Sequence, residues 1–229
     1  MTVSNTKAAG LRWVWNQAKR LFRGIRGKRT EKLVRPTDSQ RDRFTNQALE
    51  KGVSDRLVRD LYAGKVNQQQ WTLNAREQIK RTFIAQYMLG RGGRGSMTQA
   101  DWGRCGAVLK KQYGFLARFE QDLIDGKLSE AQAKARLRMY FKASTQAYEQ
   151  GKAHAQGVPT LPAYPGDGQT VCMSNCQCHW EIEEGDDEWL CTWTLGAAEH
   201  CPDCVANADK WNPLRIPYQP QRDFRFSEV

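Results

Sequence analysis

The sequence lacks any long stretch of uninterrupted apolar residues. No run of about 18 occurs in the 229 residues, and a helix that spans a bilayer needs about 20. Charged residues interrupt the N-terminal stretch "LRWVWNQAKRLF", which also lacks the apolar core and the cleavage site of a secretory signal. We therefore expect no membrane span, and a protein made and used in a reducing cytoplasm, where disulfide bonds are rare.

Acidic residues are almost absent from the first 35 positions. Ten lysines and arginines stand there against one acid, Glu31, which gives this segment a net charge of +9 out of +10 for the chain. Apolar residues recur at intervals of three and four between Leu11 and Ile25, which predicts an amphipathic helix. A basic arm over residues 1–37 indicates a local anionic partner. Its candidate residues for contact with nucleic acid, without sequence preference, or with another partner are Arg12, Lys19, Arg20, Arg23, Arg26, Lys28 and Arg29.

Trp13 and Trp15 in this arm raise the alternative of a helix that lies on a membrane surface. Packing of the apolar face against the body or a partner is the simpler explanation, and we favour it.

From about residue 38 to 157 the apolar spacing predicts helices almost throughout. Cap residues and glycines divide this region into segments at 38–52, 54–64, 67–90, 98–126 and from 129 to just before Pro159. Residues 61–76 and 123–138 form a weak internal repeat, identical at Leu61/Leu123, Gly64/Gly126, Lys65/Lys127, Gln70/Gln132 and Arg76/Arg138. We predict a mainly α fold with a bundle of two helical hairpins, although a Gly-Lys turn before a cap residue is common without duplication.

The stretch "LGRGGRGSMTQ" between the repeats lacks the lysine of a nucleotide-binding P-loop. A helix also precedes it where that motif requires a strand. The sequence predicts a flexible linker with two arginines here.

Six of the seven cysteines lie between residues 171 and 205. Five of them form two groups, Cys172-x3-Cys176-x-Cys178 and Cys201-x2-Cys204, and the 22 residues between the groups contain the sixth, Cys191. The intervening "QCHWEIEEGDDEWLCTWTL" alternates as a β-hairpin does, so the two cysteine groups should meet at one end of the hairpin. Four thiolates at such spacings are typical of a closed structural zinc site. We predict a zinc-binding β module over residues 158–212, with one Zn²⁺ per chain that supplies much of its folding energy.

The favoured zinc ligands are Cys172, Cys176, Cys201 and Cys204, with Cys178 as a substitute for Cys176. A redox "CPDC" pair would need a βαβ context and a helix N-terminus. A nucleophilic cysteine beside His179 or His200 lacks a surrounding motif, and His200 is a weak ligand candidate because it adjoins Cys201. Cys105 and Cys191 are expected to be buried free thiols, and His154 to be a surface residue near a helix C-terminus.

Residues 213–229 contain three prolines and alternating bulky side chains, which predicts an extended C-terminal arm. Its candidate docking residues, including the tryptophan that precedes it, are Trp211, Tyr218, Phe224 and Phe226.

Residues 161–213 resemble the C-terminal part of the head-morphogenesis (minor head) proteins of tailed phages. The resemblance rests on Asp167, Gly168, Cys172, Asn175, Cys176, Cys178, Glu199, Cys201 and Cys204. It implies a structural protein of the virion, assembled in the host cytoplasm, that associates with portal, capsid or neck subunits in a multi-copy assembly, and it does not imply catalysis. The alternative is a DNA-binding zinc protein or regulator that acts through the basic arm, because the acidic hairpin itself would repel phosphate.

Overall fold

The computed structural model describes residues 52–197 and 199–218. The basic arm, most of the helix predicted over 38–52, Phe224 and Phe226 lie outside the described residues. Within the described part of the chain, no helix is both long and apolar enough to cross a membrane.

The N-terminal two thirds of the described residues form helices. Their bounds are Val53–Tyr62 (α1), Gln68–Gly90 (α2), Gln99–Ile124 (α3), Glu130–Lys142 (α4) and Thr145–Ala155 (α5). The side chain of Asn67 accepts the Gln70 N–H at the start of α2. Thr98 and Ser129 form reciprocal capping boxes at the starts of α3 and α4, so polar caps fix these helix starts.

The prediction of one helix from Ser129 to just before Pro159 was wrong, because the helix is interrupted between α4 and α5. The Ser144 hydroxyl donates to the Phe141 carbonyl at 2.6 Å, and the Thr145 hydroxyl donates to the Lys142 carbonyl at 2.9 Å. Hydroxyl side chains that hydrogen-bond to carbonyls of the preceding turn compete with the backbone hydrogen bonds of a helix. These two bonds lie at the point where the helix is interrupted.

The two repeated segments form turns of the same geometry. Gly64 and Gly126 have φ angles of 66° and 64°, and each donates its N–H to the carbonyl of the leucine three residues earlier. Helix α1 packs against α4, and α2 packs against α3, around a core that includes Trp71 and Phe119 in edge-to-face contact.

The loop at 90–97 is not the flexible linker that the sequence predicted. It contains a short 3-10 turn, Arg94–Ser96, and Arg91 donates to the carbonyls of His154 and Ser96. The Arg91 guanidinium also lies 3.1 Å from the buried carboxylate of Asp101. These contacts tie the loop to α3 and α5.

The C-terminal part is a three-stranded antiparallel sheet with one helix. Strands β1 (His179–Glu184) and β2 (Glu188–Thr194) form the predicted hairpin, helix α6 spans Pro202–Lys210, and β3 (Leu214–Pro217) pairs with β2. Trp180 lies opposite Trp193, and both side chains are fully buried. The mainly helical architecture with a small β module agrees with the fold class expected from the sequence.

The C-terminal arm predicted from residue 213 begins instead as strand β3 of the sheet. Trp211, expected to dock on a neighbour, is buried and packs 5.3 Å from Trp180 and 5.7 Å from Trp193 between ring centroids. Tyr218 stands edge-on to Trp189 at 4.4 Å and donates its hydroxyl proton to the Gly185 carbonyl. Both aromatic rings therefore pack within the module, because burying aromatic surface there is strongly favourable.

Helix α5 connects the helical bundle to the sheet. The fully buried Glu149 accepts the Trp180 backbone N–H at 3.1 Å, and Lys152 donates to the Trp180 carbonyl at 2.8 Å. Helix α5 also crosses α2 so closely that a Cβ atom at Gly90 or Gly151 would clash with backbone atoms of the opposite helix. Helix α5 thereby fixes the β module to the bundle.

Candidate metal centre

Three short segments bring five cysteines to one end of the β-hairpin. Cys172 precedes the 3-10 turn Met173–Asn175, and Cys176 and Cys178 follow that turn just before β1. Cys201 is the N-cap residue of α6 and Cys204 lies in its first turn. The Asp203 carboxylate accepts the Val171 N–H at 2.8 Å, which holds the start of α6 against the loop that carries Cys172.

The sulfur separations fit shared coordination of a metal ion. The Cys204 sulfur lies 3.6 Å from that of Cys172 and 3.5 Å from that of Cys176. A tetrahedral ion with metal–sulfur bonds of about 2.3 Å would separate its ligand sulfurs by about 3.8 Å, whereas a disulfide bond joins them at about 2.05 Å. All seven cysteines of the chain are free, so no disulfide bond crosslinks the cluster, and its sulfurs could serve as metal ligands.

Cys204 is the centre of the cluster. It belongs to two groups of three whose sulfurs lie within 4.8 Å of one another, one with Cys172 and Cys201 and the other with Cys176 and Cys178. Cys176, Cys178 and Cys204 are buried, whereas Cys172 and Cys201 are partly exposed. The structure thus brings together all five cysteines predicted from the sequence, and these cysteines could hold a metal ion.

Hydrogen bonds favour the charged form of some of these sulfurs. The pKa of Cys178 is lowered to about 5, first because the Cys176 thiol donates to it and also because the Gly196 N–H does. The same bond, together with burial, raises the pKa of Cys176. Burial opposes ionisation of Cys201, but N–H groups of Cys204 and Cys172 donate to its sulfur and its pKa is lowered overall. Thiolates are the form in which cysteine binds metals.

Sequence reasoning missed that the Cys201–Cys204 pair lies at a helix N-terminus and not in an isolated tight turn. Pro202 occupies the first position of α6 and Asp203 lies in its first turn, and both are typical of helix starts. A helix N-terminus is one of the two features that a redox pair requires. The other, a βαβ unit, does not occur in the described residues, whose sheet is antiparallel.

Cys105 and Cys191 are buried outside the cluster, as expected. Burial raises the pKa of Cys105 to about 12, with a further contribution from Asp101, and burial raises the pKa of Cys191 to about 11. Neither belongs to the two groups of three.

The expectation that His154 lies on the surface was wrong. Its Nδ1 lies 2.7 Å from the Tyr87 hydroxyl, which donates to the Asp101 carboxylate at 2.8 Å. Because the Tyr87 proton is used on Asp101, Nδ1 must carry a proton of its own. Burial first, and then the charge of Arg104, lower the pKa of His154 to about 4, so the ring is a neutral member of a partly buried network.

Comparisons of the chain with protein-family models, with curated proteins and with solved structures gave no match. The resemblance of residues 161–213 to phage head-morphogenesis proteins therefore stays a prediction.

Proposed function

We propose that this chain is a structural protein of a phage virion, located in the head or neck, whose β module is held by one structural Zn²⁺. The observation that carries the proposal is the convergence of four cysteine sulfurs on that of Cys204 at the end of the hairpin. The sequence resemblance of the same segment supplies the virion role, and a portal, capsid or neck subunit is the expected partner.

The favoured ligand set consists of Cys172, Cys176, Cys201 and Cys204. The Cys172 and Cys176 sulfurs lie 3.6 Å and 3.5 Å from that of Cys204, close to a tetrahedral edge. Cys201 completes the group of three that contains Cys172, and Cys178 is then a fifth thiol beside the ion. Thiolate ligands favour Zn²⁺, Cu⁺ or iron–sulfur clusters over hard cations, and a closed set of four suits a structural zinc ion.

We propose no catalytic role for this site. Four thiolates would fill the coordination of zinc and leave no open position for water or substrate. Bound zinc would crosslink the loop before β1 to the start of α6, and its chemistry would be structural.

The first experiment is native mass spectrometry of the purified chain before and after treatment with a strong chelator. We expect one zinc ion per chain, lost on chelation, and oligomer peaks if the chain assembles by itself. A chain without metal, with free thiols or a Cys201–Cys204 disulfide, would overturn the zinc proposal and weaken the phage assignment that rests on the same cysteines.

A second candidate, a DNA-binding protein or regulator, is favoured by the net +9 charge of residues 1–35. A virion protein should bind DNA without sequence preference, with strong salt dependence, and should lose this binding when residues 1–35 are deleted. Electrophoretic mobility shift assays with unrelated DNA duplexes at rising salt concentration distinguish the virion protein from the regulator. Sequence preference that survives high salt would favour the regulator.

A further inference from the structure

A groove of about 260 Å³ lies between the α3–α4 hairpin and the loop that leads to the cysteine cluster. Most of its lining side chains are apolar: Phe115, Met139, Tyr140, Ala143 and Met173. Its volume is below the roughly 300–1,000 Å³ of typical small-molecule sites. The groove has room for one or two side chains of a polypeptide and is too small for a typical cofactor.

Ser174 gives this groove an unsatisfied polar group. Its side chain lines the groove and is only 7% exposed, and within the described residues its hydroxyl has no hydrogen-bond partner. Buried hydroxyls nearly always have a partner, and a hydroxyl can both donate and accept. A polar group that enters the groove would supply the missing partner.

Met173, the preceding residue, has a φ angle of 48°. This left-handed conformation is unfavourable for residues other than glycine, asparagine and aspartate, and strained residues of this kind cluster at binding sites. Met173 and Phe115 are 46% and 47% exposed, which leaves apolar surface open on two walls of the groove.

The charged side chains that line the groove already form hydrogen bonds within the chain. Arg136 donates to Asp122 at 2.6 Å, and the Asp167 carboxylate accepts N–H groups of Tyr164 and Gln169. The groove thus offers mainly apolar contact, with the Ser174 hydroxyl and the Gln112 amide as polar groups, which suits an aromatic side chain on an extended backbone.

The C-terminal segment of the chain has this chemistry. Phe224 and Phe226 are separated by one charged residue, Arg225, so an extended backbone would place both rings on one face. We propose that the groove binds the C-terminal segment, residues 219–229, of a second copy of this chain. The inference needs neither the identity of the metal nor a place in a virion.

Geometry favours the second copy over the chain's own segment. The last described residue, Tyr218, is held at the hairpin turn by bonds to the carbonyls of Gly185 and Asp187. Ser174, in contrast, lies five residues before His179, the first residue of β1, whose six residues extend about 20 Å. Phe224 follows Tyr218 by six residues and reaches at most roughly 20 Å, so the chain's own segment would have to run back fully extended.

A labelled synthetic peptide of residues 217–229 tests the proposal. It is titrated, by fluorescence anisotropy, with full-length metal-loaded chain that carries Phe224→Ala and Phe226→Ala, so that no native segment competes. We expect saturable binding that is at least tenfold weaker for a peptide with both phenylalanines replaced by alanine. Phe115→Ala in the groove should weaken binding at least fivefold, whereas Leu73→Ala, an exposed apolar residue outside the groove, should leave it unchanged.

No saturable binding, equal binding of the alanine peptide, or no effect of Phe115→Ala would overturn the proposal. Sedimentation equilibrium of the wild-type chain tests the second copy. We expect concentration-dependent association that the Phe224→Ala/Phe226→Ala chain has lost. A monomeric wild-type chain whose groove no longer accepts the peptide would show that its own segment fills the groove, and would overturn the assignment to a second copy.

Discussion

The crossing of α2 and α5 makes a sharp prediction about two glycines. A Cβ atom at Gly90 would lie 2.1 Å from the Tyr148 carbonyl oxygen, and one at Gly151 would lie 2.3 Å from the Tyr87 carbonyl oxygen. Carbon–oxygen contacts normally lie at about 3.3 Å or more. An alanine at either position would thus force the helices apart by roughly 1 Å.

The expected loss of stability follows from this displacement. Overpacking in a core typically costs about 1–3 kcal/mol and occasionally more, and gaps of 0.5–1 Å forfeit about a quarter to a half of each dispersion contact. The higher helix propensity of alanine offsets up to about 1 kcal/mol. We expect Gly90→Ala to lower the free energy of unfolding by about 2 kcal/mol, or Tm by about 4–8 °C for a chain of this size.

Gly106 provides the matched control in α3. It lies in a helix and is exposed, and a Cβ there would meet no atom within 4 Å. Gly106→Ala should therefore keep or raise Tm, by up to about 4 °C. Thermal unfolding followed by circular dichroism compares the two variants, and a Gly90→Ala chain as stable as the Gly106→Ala chain would refute the close crossing.

Three further predictions concern the metal site, His154 and Glu149. Cys204→Ser should abolish metal binding, because Cys204 belongs to both groups of three sulfurs, whereas the control Cys191→Ser should retain it. Native mass spectrometry measures the bound metal, and a metal ion retained by Cys204→Ser would refute the central role of Cys204. The pKa of His154 is about 4 in the folded chain and about 6.5 in the unfolded chain, so the unfolded chain binds the proton more readily. The free energy of unfolding should therefore fall as the pH drops from 6.5 to 4, by about 1–3 kcal/mol after allowance for the partial exposure of the ring. Urea unfolding at both pH values should show a smaller fall for His154→Asn, and an equal fall would contradict the assignment. Glu149→Ala leaves the Trp180 N–H without its acceptor and should cost about 2–4 kcal/mol in urea unfolding, whereas the exposed Glu181→Ala should cost little.

Helix ends were the most predictable part of the fold because local chemistry decides them. Asn67, Thr98 and Ser129 cap the helices that follow them, and Gly64 and Gly126 adopt the left-handed turn that glycine tolerates best. These signals lie within three or four residues of the boundary and need no knowledge of tertiary contacts.

Elements stabilised by distant contacts were not predictable in the same way. Strand β3 has four residues and is held by pairing with β2 and by the burial of Trp211, neither of which is visible in its own sequence. His154 bonds to a tyrosine 67 positions earlier, so its position near a helix end suggested a surface residue. For the cysteines, spacing predicted that the two groups meet, but not that Cys204 lies between both.

The structure also changes what the metal is expected to do. From the sequence, a small β segment with little core should depend on zinc for most of its folding energy. Trp180, Trp193 and Trp211 instead form a second buried core together with residues from the preceding loop and α5, and burial of aromatic side chains contributes several kcal/mol. The hairpin therefore has a source of stability besides a bound ion. The ion would mainly fix the 172–178 loop against α6, and that loop also forms the Met173–Ser174 wall of the groove.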